Sequence, residues 1–415
     1  MDDKIRKEIN QTRQIQKFSA YGFLKNLKFF EPYLVIYLLG NGYSLFQIGI
    51  LYSIREAIIY VFEVPSGIIA DYYGRKKELY MCFAFYIISF VLFYFGTSYW
   101  KVVMAMLFFG LGEAFRSGTH KAMIYTYLEA RGWSSYKAYV YGRTRSFSLI
   151  GSAVNAIGAI VLILNVPSSK YIFLASVMPY ILDFALIATY PDYLDSPQGD
   201  KGPLKDAFSI KGHLSDIYKR FALRKIVINS GLFEAVFKSV KDMIQPILEI
   251  MIVTTGIVIL KSMSPEDNLH IILGLSYAGI NLISAYASKH AYLLKKHATS
   301  SQLLNRVYLA FAAVLFGLFI AIRLNWVGVI VVLFIVIYML RDIRKPLFVD
   351  ACDDYMEKNQ RATVLSIESQ LKALFTVVLA PSIGFLADQF GIATVMLASG
   401  VILILLYTRL KVVNE

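Results

Sequence analysis

Charged side chains stand inside several of the long apolar stretches of this sequence. A charge at the centre of a membrane-spanning helix costs about 2.5–3.5 kcal/mol, so it is tolerated where it faces water or an opposite charge. An acid enclosed in such surroundings is biased toward its protonated form and can exchange a proton near neutral pH. A guanidinium group there can bind a carboxylate or a phosphate through paired hydrogen bonds. The pattern therefore predicts a polar path enclosed by apolar helices.

These charges fall into two sets of candidates. Cations outnumber acids, which favours an anionic or zwitterionic solute, and the binding candidates are Glu113, Arg116, His120, Lys121, Lys238, Arg341, Asp342 and Arg344. The candidate proton-binding acids are Glu31, Glu234, Asp242 and Glu368. We expect Glu31 to be the first of these acids, because it precedes Pro32 in mid-helix and burial there would favour its protonated form. For any one residue, a structural ion pair between helices is an equal alternative.

Spacing places several candidates on common helix faces. Glu234, Lys238 and Asp242 follow one another at steps of four, which predicts two ion pairs within one polar stripe. Glu113, Arg116 and His120 share a face in the same way. Because His120 has no second histidine at ligand spacing, we expect neither a metal nor a cofactor.

The composition places the chain in a membrane. Of the 415 residues, 57% are hydrophobic and 17% are charged, whereas a soluble domain has about 25% charged residues. The mean hydropathy is +0.55. The net charge of +13 is compatible with nucleic acid, but the cations are not gathered with stacking aromatic residues in one soluble region. We therefore expect the lipid bilayer, and no nucleic acid, as a partner.

Twelve apolar stretches are long enough to cross a bilayer core of about 30 Å as helices. They cover residues 18–40, 44–69, 78–96, 101–129, 138–164, 170–190, 223–250, 266–288, 301–322, 326–352, 361–387 and 392–408. A long polar linker, 191–222, separates an N-terminal bundle of six helices, 18–190, from a C-terminal bundle of six, 223–408. We predict an all-α polytopic membrane protein with twelve transmembrane helices in two six-helix bundles.

Lysine and arginine predict the orientation. They are concentrated in the tail 1–17, the linker and alternate loops, whereas the other loops hold only Lys101, Lys170, Lys261 and Arg323. Cytoplasmic loops carry the excess of these residues. Both tails, 1–17 and 409–415, are therefore expected in the cytoplasm, with the chain crossing the plasma or inner membrane as a monomer.

Two short patterns repeat along the chain. Residues 28–34 (KFFEPYL) and 242–248 (DMIQPIL) share a proline at the same place, which indicates that the two bundles are parallel copies. G-x-x-A-D-x-x-G occurs at 67–74 and again at 384–391, on opposite faces of the predicted topology. One pattern on opposite faces is typical of three-helix units inserted in inverted orientation. Only the first copy continues into three cations.

Gly67, Asp71, Gly74, Arg75 and Lys76 resemble the loop signature of the major facilitator superfamily between its second and third helices. The six-plus-six layout and the central linker extend the resemblance over nearly the whole chain. It implies secondary transport of a small-molecule substrate by alternating access, and no enzymatic activity. In the resembled fold, helices 1, 4, 7 and 10 line the central cavity, and these are the stretches in which the charges are concentrated.

The signature residues Gly67, Asp71, Gly74 and Arg75 are the candidate gating residues. Glycine permits close approach of helix ends. Asp71 would accept hydrogen bonds at the start of helix 11, where the helix dipole favours an anion, and Arg75 would pair with an acid such as Glu129. Contacts made in one state only would bias a two-state equilibrium. The alternative is that the cations serve only to orient the chain, and the second copy is expected to be mainly a packing turn.

The predicted function is proton-coupled secondary transport of a small polar organic solute, anionic or zwitterionic. A multidrug or metabolite efflux antiporter is the alternative, although the fifth stretch lacks the Gly-Pro pattern of drug/proton exporters near Gly151. Two rivals of another class are a transporter-like membrane sensor and a membrane-embedded enzyme. The sequence contains no H-E-x-x-H motif and no phosphate-binding loop in support of an enzyme.

Overall fold

A computed structural model describes residues 2–195, 221–256, 261–290, 298–353, 355 and 361–412, and within these ranges it contains helices and no strand. The middle of the predicted linker, 196–220, lies outside the described residues. Before the linker the α-helices are α1 (Asp2–Gln11), α2 (Arg13–Leu24), α3 (Leu34–Gly40), α4 (Leu45–Tyr73), α5 (Arg75–Tyr94), α6 (Tyr99–Phe115), α7 (Thr119–Ala130), α8 (Lys137–Asn165) and α9 (Tyr171–Ala188). After it they are α10 (Phe221–Val240), α11 (Ile244–Thr255), α12 (Pro265–His290), α13 (Ser300–Arg323), α14 (Val327–Asp353), α15 (Arg361–Phe390) and α16 (Ile392–Leu410).

Both copies of the repeated motif join two long helices at a glycine. Gly74 separates α4 from α5 with a φ of 104°, and Gly391 separates α15 from α16 with a φ of 81°. A side chain disfavours this left-handed region, which glycine enters at little cost. The final glycine of the motif therefore ends one helix and lets the next begin immediately.

Three of the predicted membrane helices are broken near their middles. The first is divided by a 3₁₀ turn at Glu31–Tyr33, between α2 and α3, and the seventh by a 3₁₀ turn at Lys241–Met243, between α10 and α11. The fourth is divided between α6 and α7, where Gly118 has a φ of 81°. Pro32 and Pro246 account for the first two breaks, because proline lacks the N–H that an uninterrupted helix requires.

Length and composition alone qualify seven helices of the described chain as membrane spans, namely α4, α5, α8 with the 3₁₀ turn before it, α9, α13, α15 and α16. The predicted helices 1, 4, 7, 8 and 10 do not meet this criterion, and four of these, 1, 4, 7 and 10, carry most of the charged candidates. Breaks and charges therefore coincide on predicted helices 1, 4 and 7, whereas the charged tenth helix is the continuous α14.

The described chain packs as two compact units. The first contains the chain up to Glu31 and from Ile58 to the linker, and the second contains Pro32–Ala57 and the chain after the linker. Within the first unit α5 packs on α6 and α9, and α2 packs on α8. Within the second unit α10 packs on α15, and α13 packs on α14 and α16. This division by contacts assigns residues 32–57 to the second unit, whereas the division predicted from the sequence keeps them in the N-terminal bundle.

Candidate functional site

An ion cluster at two helix breaks forms the candidate site of the first unit. Lys28 Nζ lies 2.7 Å from Glu113 Oε1, and Arg116 Nη2 donates to the other oxygen of the same carboxylate. Arg116 Nε also donates to the Tyr86 hydroxyl at 3.0 Å. The exposed fractions of the side chains are 14% for Lys28, 21% for Glu113 and 29% for Arg116. This N-terminal triad therefore pairs two cations with one acid and is only partly buried.

Aromatic rings enclose one side of the N-terminal triad. Lys28 Nζ lies 4.8 Å from the centre of the Phe109 ring and 5.3 Å from that of Tyr86. Such cation–π contacts stabilise an ammonium group by about 0.5–2 kcal/mol. They hold Lys28 in place without neutralising its charge.

His120 and Lys121 lie on α7 and are not part of the triad. The His120 ring is buried, stacks on Tyr21 with 3.6 Å between ring centres, and lies within 3.1 Å of the Tyr190 hydroxyl. Lys121 is exposed, and its Nζ lies 5.1 Å from the centre of the Tyr141 ring. Of the four candidates in the predicted fourth helix, the structure therefore joins Glu113 and Arg116 and leaves His120 and Lys121 apart.

In the second unit, Lys238 on α10 pairs with Glu56 on α4. The Glu56 carboxylate is buried and also accepts a hydrogen bond from Arg55 Nη2 at 3.1 Å. Glu56 is not among the sequence candidates, although an acid in the middle of an apolar stretch is the same signal that selects the others. Two cations again share one carboxylate.

The break between α10 and α11 changes the ion pairs that helical spacing predicts. Asp242 pairs with Lys241, whose Nζ lies 2.6 and 2.7 Å from the two carboxylate oxygens, and not with Lys238. The hydroxyls of Tyr277 and Tyr52 also donate to Asp242, at 3.2 and 3.3 Å. The predicted Lys238–Asp242 pair is therefore wrong, because α10 ends at Val240 between the two residues. The predicted Glu234–Lys238 pair is wrong as well, because each of these residues pairs with another helix.

Glu234 belongs to a separate network with α14. Arg341 Nε lies 3.3 Å from the Glu234 carboxylate, and Arg341 Nη1 donates to Asp342 at 3.1 Å. Glu368 on α15 contacts a different part of α10, where it accepts a hydrogen bond from the Ser230 hydroxyl at 3.1 Å. These contacts give three of the candidate residues an ion-pair partner and give Glu368 a neutral one.

Arg344 is enclosed in the core of the second unit. It is 1% exposed, donates to the Leu304 carbonyl at 3.1 Å and to the Asn229 side chain, and lies over the Phe233 ring. A solute would have to displace this packing to reach the guanidinium. The placement favours the structural alternative for Arg344 over solute contact.

Glu31 begins the 3₁₀ turn that follows α2, and its side chain is exposed. Its backbone N–H donates to the Lys28 carbonyl at 3.0 Å. The expectation that Glu31 is buried is therefore wrong, because the break beside Pro32 turns this residue out of the helix packing.

In the first copy of the repeated motif, some residues pack closely against the rest of the unit and others are exposed. Asp71 is exposed, and a Cβ atom added to Gly67 would meet nothing within 4 Å. Arg75 Nη1 donates to the Thr126 hydroxyl at 2.8 Å. Gly74, by contrast, is closely covered, because an added Cβ would lie 2.5 Å from Asp195 Oδ1. The side chains at the start of α15, where the sequence predicts the partner of Asp71, lie outside the described residues.

The second copy caps the start of α4. Asp388 Oδ1 and Oδ2 accept hydrogen bonds from the N–H groups of Leu45 and Phe46 at 3.0 and 2.8 Å. Gly384 makes this approach possible, because an added Cβ would lie 2.2 Å from the Leu45 carbonyl oxygen. The second copy is therefore more than the packing turn predicted from the sequence, since it also binds the exposed donors of a helix end.

Comparison with known proteins places this arrangement in a family. The sequence profile of the Major Facilitator Superfamily matches residues 20–369. The uncharacterized MFS-type transporter YxaM of Bacillus subtilis (strain 168) is 26% identical over 226 residues, which are 52% of this chain and 54% of that protein. The alignment thus spans about half the length of this curated relative.

Solved structures share the fold at low sequence identity. A mutant form of the nucleoside transporter NupG superposes with a TM-score of 0.79 at 14% identity, covering 96% of this chain and 98% of that chain. A D-xylose-proton symporter superposes with a TM-score of 0.69 at 14% identity, covering 94% and 96%. These likenesses show the twelve-helix, two-bundle architecture of a membrane protein. Together with the profile match over most of its length, they show that the chain belongs to the Major Facilitator Superfamily, a class of membrane transporters and not of enzymes.

Proposed function

We propose that this protein is a secondary active transporter that moves a small polar organic solute, anionic or zwitterionic, by alternating access and with proton coupling. The family supports transport of a solute as the activity. The N-terminal triad is the observation that supports an anionic or zwitterionic solute, because two cations share the single Glu113 carboxylate at a partly exposed position.

The triad has hydrogen-bonding capacity to offer a solute. A guanidinium has five N–H donors, and within the described chain Arg116 directs one to Glu113 and one to Tyr86. A solute carboxylate or phosphate can take further donors in a bidentate contact. The net positive charge of the triad would then be balanced by the solute, which lowers the cost of holding charge inside the membrane.

The acids of the second unit support proton coupling. Asp242 is paired with Lys241, and Glu234 is paired with Arg341. A proton arriving at either carboxylate would cancel its negative charge and free the cation that it pairs with, so protonation would change the charge of the second unit during transport. Glu368, with a hydroxyl as its partner, is a third acceptor, and the exposure of Glu31 makes it the weakest of the four candidates.

The proposal includes the setting predicted from the sequence. Both tails would lie in the cytoplasm, because Lys and Arg are concentrated in one set of loops. The proposal retains the plasma or inner membrane as the location and a monomer as the state. The gating residues would be Asp71, Gly74 and Arg75 with Gly67, and the bundle boundaries would be those given by the linker 191–222.

A flux assay in proteoliposomes tests the proposal. The panel contains amino acids, dicarboxylates, sugar phosphates, uridine, D-xylose and a lipophilic cation, each with and without a pH gradient. Uridine and D-xylose are included because two proteins of the same fold carry the names nucleoside transporter and D-xylose-proton symporter. We expect flux of a member that carries a carboxylate or a phosphate, faster when the pH gradient is imposed.

Substitution of two arginines, one in the triad and one outside it, tests whether the solute binds at the triad. Hydrogen bonds to charged groups are worth about 1.5–3 kcal/mol, so Arg116→Gln should lower the flux about 10- to 100-fold. Arg323→Gln changes an exposed arginine at the end of α13 and should leave the flux unchanged. Flux of the lipophilic cation alone would favour an efflux antiporter, and flux indifferent to the pH gradient would remove proton coupling. Unchanged flux in Arg116→Gln would refute the triad as the binding site.

A further inference from the structure

Asp183 is a buried acid of the first unit that makes no hydrogen bond within the described residues. It lies on α9, is 0% exposed, and neither Oδ1 nor Oδ2 has a partner in the described chain. Glu113 and Glu56 differ from it, because each of those carboxylates contacts two cations. Within the described residues, Asp183 thus lacks the compensation that these two carboxylates have.

A charged carboxylate in this position would be very unfavourable. Moving an isolated ionised carboxylate into an apolar medium costs far more than moving the neutral acid, so the group takes up a proton instead. A neutral carboxylic acid without a partner loses only its hydrogen bonds to water. Burial without a partner is therefore evidence for the protonated form.

One cation lies near enough to act on Asp183 but does not bind it. Lys25 follows the end of α2, and its charge acts on the Asp183 carboxylate. In the described structure its Nζ lies over the Tyr21 ring, 5.2 Å from the ring centre, and forms no ion pair with Asp183. Tyr180, one turn before Asp183, donates its hydroxyl to the Lys25 carbonyl at 2.9 Å. This hydrogen bond keeps the backbone of Lys25 beside α9.

The other titratable groups around Asp183 are weak acids or distant cations. Tyr21, Tyr180 and Tyr190 interact with its charge directly. Cys82 on α5, which packs on α9, acts on Tyr21 and Tyr180. Arg116, Arg145 and Glu113 act on Lys25. Lys25 is therefore the group best placed to stabilise the carboxylate once the proton leaves.

We propose that Asp183 is a further proton-binding residue of the transport cycle, neutral in the described state, and that it releases its proton when the Lys25 ammonium moves onto its carboxylate. In this step the O–H bond of Asp183 breaks, the proton passes to water, and the carboxylate forms an ion pair with Lys25. The inference rests on the proposed proton coupling and adds an acid on α9 to candidates that lie on other helices.

Infrared spectroscopy of the full-length protein in liposomes tests this step without a solute. We expect a carbonyl-stretch band of a protonated carboxylic acid at neutral pH, which disappears when the buffer is made alkaline. Asp183→Asn should remove the band, and labelling the aspartate carboxyls with ¹³C should shift it in the wild-type protein. The labelled protein keeps the test valid if the variant does not fold. Lys25→Met should keep the band to higher pH, because the carboxylate then lacks its cation.

The matched control is Glu56→Gln, which replaces a buried but paired acid and should leave the band in place. Absence of the band in wild-type protein, or a band that survives Asp183→Asn and does not shift with aspartate labelling, would overturn the inference. A band that behaves as expected in a protein whose flux ignores the pH gradient would leave Asp183 as a neutral acid and remove proton coupling from the proposed function. The two failures are therefore distinguishable.

Discussion

Removal of the Asp388 carboxylate should weaken the start of α4 and little else. The first N–H groups of a helix have no partner within the helix, and here Leu45 and Phe46 donate to Asp388. Ser44 and Gln47 form a reciprocal pair beside them, at 3.3 Å from the Gln47 N–H to Ser44 Oγ and 3.0 Å from the Ser44 N–H to Gln47 Oε1. Asp388→Ala therefore leaves the two N–H donors of Leu45 and Phe46 without their acceptor, while the reciprocal Ser44–Gln47 pair remains.

The magnitude follows from those two hydrogen bonds. Loss of a capping side chain costs about 0.5–2 kcal/mol, and an anion at a helix N-terminus is worth about 0.3–1 kcal/mol. Because the Asp388 side chain is exposed, we expect a total of about 1–2 kcal/mol. A cost of this size corresponds to opening about 5- to 30-fold more often.

Hydrogen–deuterium exchange measured by mass spectrometry checks this prediction. Peptides that contain Leu45 and Phe46 should exchange about 5- to 30-fold faster in Asp388→Ala, while peptides from α13 should be unchanged. Asp388→Asn should give an intermediate rate, because the amide keeps one oxygen acceptor. Asp71→Ala, which changes the exposed aspartate of the first copy, is the matched control and should not alter exchange at these amides. Equal exchange in wild-type protein and Asp388→Ala would refute the capping role.

Three further substitutions test other contacts. Gly384→Ala should abolish a monodisperse peak in size-exclusion chromatography, because its Cβ would lie 2.2 Å from a backbone oxygen, whereas Gly67→Ala meets open space and should be tolerated. Arg344→Met should lower the free energy of unfolding by about 2–4 kcal/mol in thermal denaturation, since two buried acceptors lose their donor, and an unchanged midpoint would contradict the enclosed position. Gly74→Ala should lower the free energy of unfolding in thermal denaturation by at least about 1–3 kcal/mol, from its φ of 104° alone, and an unchanged midpoint would contradict the strain.

The sequence predicts the long helices well because their apolar runs end at strong signals. The stretch predicted at 392–408 is observed as Ile392–Leu410, and the stretch predicted at 44–69 extends to Tyr73, one residue before the motif glycine. Hydropathy and glycine act locally, so these bounds need no tertiary information. The breaks at Pro32 and Pro246 carry equally local signals, although length alone favours one continuous helix.

Side-chain partners are the part that the sequence does not predict. Lys238 and Asp242 stand four residues apart, yet the helix end at Val240 sends them to Glu56 and Lys241. The break at Gly118 likewise places Lys121 on α7, apart from Arg116 at the end of α6. Helix rotation depends on the packing of whole helices, and a single sequence without tertiary contacts does not specify it.

For Asp183, the sequence does not predict whether a partner is present. A single acid in an apolar stretch gives the same sequence signal whether a cation faces it or not. Only the packing of α9 against α2 and α5 leaves Asp183 without a partner among the described residues. Helix packing, and not the identity of the residue, therefore decides whether this acid meets a cation.

The membership of Pro32–Ala57 in the second unit has a consequence for biosynthesis. The chain is made from its N-terminus, so this segment is complete before α10 to α16 exist. The contacts of Leu45 and Phe46 with Asp388 span 343 and 342 residues. Until the ribosome has passed α15, the first turn of α4 must satisfy its donors with water or lipid headgroups. The second unit is thus assembled last, from a segment synthesised early that waits for its partners, and expressing the C-terminal half alone should yield a unit that lacks part of its own core.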